Sequence, residues 1–66
     1  METIYLPKGC LEVVKEPNVF KVCRTLVKNE PKTNEMVKFF MEGSGFMYKG
    51  FIFRKTTEYC YLKLYI

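Results

Sequence analysis

The 66-residue chain contains no alanine, aspartate, histidine, glutamine or tryptophan, and Ser44 is its only serine. Most catalytic vocabularies are therefore missing. General acid–base work would fall to Glu, Lys, Tyr or Cys, and a Cys or Ser nucleophile ordinarily depends on a neighbouring base, most often a histidine. The chain reads as a non-enzyme. The three cysteines, Cys10, Cys23 and Cys60, are widely separated, so no zinc-type ligand spacing is present and neither a metal nor a cofactor is expected. Their odd number does not make a disulfide framework. With an opening Met-Glu-Thr in place of an apolar signal segment, this predicts a reduced, cytoplasmic compartment. Lysines interrupt every apolar run well before the ~18 residues a spanning helix requires, which predicts a soluble protein with no membrane partner.

What is present favours pleated structure. Val, Ile, Thr, Tyr and Phe are abundant, and these side chains fit strands better than long helices. Residues 1–66 are expected to form one small domain. A chain of this size buries only about 60% of its unfolded surface, so the core is thin. "TIYL" and "CLEVVKE" are short strand candidates separated by the Pro7-Lys8-Gly9 turn, and "NVFKVCRTLVK" is a third, its β-branched and aromatic content outweighing an alternative helical spacing. Pro17-Asn18 and Glu30-Pro31-Lys32-Thr33 punctuate the junctions. The stretch 34–42, "NEMVKFFME", is predicted as a short helix: Thr33 or Asn34 caps it, Met36, Val37, Phe40 and Met41 share a face, and Gly43 stops it. A competing reading makes Val37, Phe39 and Met41 the buried face of a strand entering a glycine-rich hairpin. The expected fold is α+β and β-rich, a small antiparallel sheet ending in a C-terminal β-hairpin with the helix packed on it. The alternative is an all-β small barrel or meander.

The closing "FMYKGFIFRKTTEYCYLKLYI" carries the strongest local signal. A turn around Lys55-Thr56-Thr57-Glu58 would pair Arg54 with Tyr59, Phe53 with Cys60 and Ile52 with Tyr61. Alternation then sends Met47, Phe51, Phe53, Cys60, Leu62, Leu64 and Ile66 to the core. Tyr48, Gly50, Ile52, Arg54, Tyr59, Tyr61, Lys63 and Tyr65 face solvent.

That outer face is the candidate site, a macromolecule-binding surface formed by Tyr48, Ile52, Arg54, Tyr59, Tyr61, Lys63 and Tyr65. Aromatic pairs on a sheet also stabilise it with their hydroxyls wet, which is the plainer account of such residues. Tyrosine and arginine are, however, the types that anchor protein interfaces, and a last strand at a sheet edge would offer free backbone groups to another chain. A protein target is therefore expected first. Nucleic acid is the second possibility, with bases on the tyrosines and Arg54, Lys49, Lys55 and Lys63 at phosphates, since the chain carries a net charge of +4. A homodimer, relieving a thin core, is the third. A small, lysine-rich, non-catalytic chain of this kind looks like the accessory proteins of phages and other mobile elements, including inhibitors of host defence. That likeness is general and assigns no residue roles.

Overall fold

Proline, glycine and asparagine divide the chain into six strands. The structure, a computed structural model, covers residues 1–66. It contains β1 (Thr3–Leu6), β2 (Glu12–Val13), β3 (Val19–Cys23), β4 (Val37–Met41), β5 (Met47–Lys55) and β6 (Tyr59–Tyr65). A 3-10 turn at Arg24–Leu26 is the only helical piece. The strands form a single sheet in the order β1-β4-β5-β6-β3-β2, with β1 parallel to β4 and every other pair antiparallel. Strands β3 to β6 make a Greek key, because three hairpin-connected strands are joined to a fourth that lies beside the far one.

The sheet has to supply its own cover. Six strands spaced about 4.8 Å apart would lie roughly 24 Å wide and one layer thick if flat, whereas the molecule measures 27 × 24 × 21 Å. The sheet is therefore curled around its own inner face. There Ile4, Leu6, Val22, Val37, Phe39, Ile52, Cys60, Leu62 and Leu64 form one buried cluster. The long connection between β3 and β4 contributes Val27 to this cluster, and Pro31 on the same connection is also buried.

The β-rich expectation stands, while the helix over 34–42 does not. Residues Val37–Met41 form β4, with Val37, Phe39 and Met41 buried and Lys38 and Phe40 turned outward. The physical reason is Phe39. A helix would have left this ring outside its apolar face, whereas the strand buries it completely and leaves Met36 40% exposed instead. Asn34 caps nothing; it occupies a turn at φ 68°, and its N–H donates to the Ile52 carbonyl at 2.7 Å. Gly43 does adopt positive φ, 91°, but in the tight loop between β4 and β5.

Candidate macromolecule-binding face

Strands β5 and β6 pair as an antiparallel hairpin, but with a register that differs from the expected one. Lys55 pairs with Cys60 and Arg54 with Tyr61, then a bulge at Phe53 shifts the ladder so that Ile52 meets Leu62 and Gly50 meets Leu64. An extra residue reverses the facing of everything beyond it. Between bulge and turn, Arg54 faces out as alternation requires. On the far side the assignment inverts, so Gly50 and Ile52 are buried while Met47, Phe51 and Phe53 lie outside.

Two of the seven proposed site residues therefore leave the face. Ile52 is fully buried in the core, and Tyr48 pairs with Phe39 and packs against the core cluster from the inner side. Arg54, Tyr59, Tyr61, Lys63 and Tyr65 remain outward, because β6 runs without interruption and buries Cys60, Leu62 and Leu64 on its other side. Ile66, expected inside, is 70% exposed.

Registers across the sheet extend the face well beyond the hairpin. Row by row, Tyr5 of β1 lies beside Phe40 and then Met47; Lys38 lies beside Lys49 and then Tyr65; Phe51 lies beside Lys63; and Arg54 lies beside Tyr61, Lys21 and Glu12. The rings are in contact. Tyr5 and Phe40 meet edge to face at 5.7 Å, Phe51 and Tyr65 lie 6.2 Å apart, and Phe53 and Tyr61 lie 6.4 Å apart. Cations interleave them, with the Arg54 guanidinium 4.8 Å above Tyr61 and the Lys21 ammonium 4.5 Å above Tyr59. Sequence reasoning missed Tyr5, Lys21, Lys38, Phe40, Phe51 and Phe53. The alternation in "VKFFM" and the interior glycine of β5 were the signals that could have found them.

Lys55 does not belong to this surface. Its ammonium donates to the Pro31 carbonyl at 2.8 Å and pairs with Glu30 at 3.3 Å. Arg24 forks onto the same carboxylate, at 2.7 and 3.1 Å, and donates to the Thr56 carbonyl at 2.8 Å. The Arg24 bonds, helped by Lys55, hold the Glu30 carboxyl below the usual carboxylate range. Burial pushes the Cys10 and Cys60 thiols upward, away from the reactive thiolate. No group of three or more His, Cys, Asp or Glu side chains is gathered in metal-binding geometry, and no helix is long and apolar enough to cross a membrane.

The edge strands are also different from expectation. β6 lies between β5 and β3, so the sheet edges are β1 and β2. The Glu2 and Leu6 carbonyls accept from Lys38 and Glu42 of the β4 side, both at 2.9 Å. Alternate groups in a parallel pairing turn the other way, so Thr3 and Tyr5 direct theirs to the free edge. A groove of about 370 Å³ runs there, between β1 and the residues Thr25, Leu26 and Lys28. With this geometry in view, the chain matches no family model, no curated protein and no solved structure.

Proposed function

We propose that this chain is a non-catalytic binding protein that acts stoichiometrically on a larger protein or nucleoprotein machine, with the outer face of the sheet as its working surface. One observation carries the reading. Phe40, Phe51 and Phe53 lie on the outer face beside Tyr5, Tyr61 and Tyr65 and are left only partly covered. Tyrosine on an outer face keeps its hydroxyl wet, but phenylalanine has no such polar handle and gains only when something covers it. Three aromatic pairs on one side of a thin curled sheet thus make a surface suited to being covered by a partner. Blocking or redirecting a larger assembly, as small accessory inhibitors of host defence do, requires nothing beyond such a surface.

The test is a double substitution, Tyr61→Ser with Tyr65→Ser, assayed by recovery of partners on tagged protein from lysate of the source cell. Each tyrosine contributes about 0.2 to 1 kcal/mol to the sheet through its cross-strand neighbours, so the variant is expected to fold. Partner recovery should fall sharply. Unchanged recovery by a folded variant would remove this face as the working surface.

A further inference from the structure

We infer that the outer face takes a single-stranded nucleic acid, with phosphates at its lysines and unstacked bases on its rings. This inference rests on the reading of that face as the working surface and names its partner. The observation is the distribution of charge. Among the paired strand residues, registers and facings place Lys21, Lys38, Lys49, Arg54 and Lys63 on the face with Glu12 as the one acid, while Glu42 follows β4 at its margin. These five cations and single acid account for the entire net charge of +4; the six remaining cations and six remaining glutamates cancel. A chain only mildly basic in composition is therefore one strongly basic face on a neutral body.

The arrangement within the face points the same way. The only two ion pairs of the molecule both fall on Glu30, so none of the five face cations has a carboxylate partner. Lys38 and Lys49 stand directly opposite each other on neighbouring strands, a placement that destabilises a sheet unless an anion lies between them. Protein interface cores are depleted in lysine, whereas phosphate chains are met by dispersed lysines and by rings on which bases stack. From Lys38 on β4 to Lys21 on β3 the face spans three strand spacings, roughly 14 Å, enough for a few nucleotides. Rings help only where base faces are free, which selects single strands over duplex.

Fluorescence anisotropy of labelled oligothymidylate and oligouridylate tests this directly. Binding should weaken with salt with a logarithmic slope of about −3 if most of the face cations meet phosphates. Lys49→Gln with Lys63→Gln should weaken binding and reduce the slope by about 1.4. Lys15→Gln with Lys32→Gln, on the neutral body, should change neither. Tyr61→Ser should cost about tenfold in affinity. Because Lys49→Gln also relieves its opposition to Lys38, it should raise the thermal midpoint while lowering affinity, which a purely structural lysine would not do. Absent binding at low salt, equal binding of duplex, or equal losses from both lysine pairs would overturn the inference. If oligonucleotides do not bind while the Lys49→Gln, Lys63→Gln variant still loses its lysate partners, the partner is an acidic protein and the broader reading survives. If the face variants alter neither, both fall.

Discussion

Gly50 shows how little freedom a core residue has in a sheet this thin. It sits in the interior of β5, between Val37 of β4 and Leu64 of β6, and it is buried. A Cβ added there would press on the Lys63 carbonyl oxygen and lie 2.9 Å from the Leu64 side chain. The obstacle is mainly backbone, and β6 cannot retreat because β3 holds it from the other side. Gly50 is thus required by close approach and not by any unusual backbone angle. Gly50→Ala should destabilise the fold by about 1 to 3 kcal/mol, the usual cost of overpacking, although alanine is ordinarily the better residue within a strand. Urea denaturation would measure it, and an unchanged midpoint would mean that β5 and β6 are not packed at this distance.

At the level of the element, the decisive feature is the bulge at Phe53. Next to the turn, Arg54 lies beside Tyr61 on the outer face and Lys55 opposite Cys60, a register shifted by two residues from the expected pairing of Arg54 with Tyr59, so that only the facing of Arg54 follows the expectation; one extra residue then returns Ile52 and Gly50 to the core. β6 was legible because nothing interrupts its period of two, and its tyrosines and Lys63 face as that period dictates. β5 was not, since a bulge is set by how two strands meet and leaves little trace in either one alone. Residues 34–42 failed for another reason: so short an apolar segment satisfies both periods, and only the surrounding sheet decides that Phe39 must be buried. The candidate face was accordingly half legible, its β6 half correct and its β4 and β5 half assembled by non-local pairing. Phe53 supplies the corresponding prediction. Phe53→Ser keeps the residue count and should cost about 1 kcal/mol or less, the value of its contact with Tyr61. Deleting Phe53 instead forces either Arg54 inward or Ile52 outward, so it should destabilise far more than the serine variant. Equal midpoints for the two in urea would show the bulge to be dispensable.

For the molecule as a whole, stability depends on how a single curled layer is closed. Val27 joins the inner-face cluster, and Pro31 is buried, only while the connection from β3 to β4 stays down, and its anchor is Glu30. That carboxylate joins Arg24, at the start of the connection, to Lys55, at the end of β5, and Arg24 reaches on to the Thr56 carbonyl in the hairpin turn. Connection and hairpin are thereby tied through one acid. Because Arg24 and Lys55 lower the Glu30 pKa in the folded state, its contribution to stability is fully present above the unfolded carboxylate value of about 4.3 and is lost as pH falls through the lower folded value. Glu30→Gln should therefore be less stable than the parent chain at neutral pH and should converge with it in acid, where the parent has lost the same interaction. Thermal midpoints measured from neutral pH down through that window test the point. Parallel curves for the two proteins would show that the connection is held by Val27 and Pro31 alone, with Glu30 a bystander at the surface.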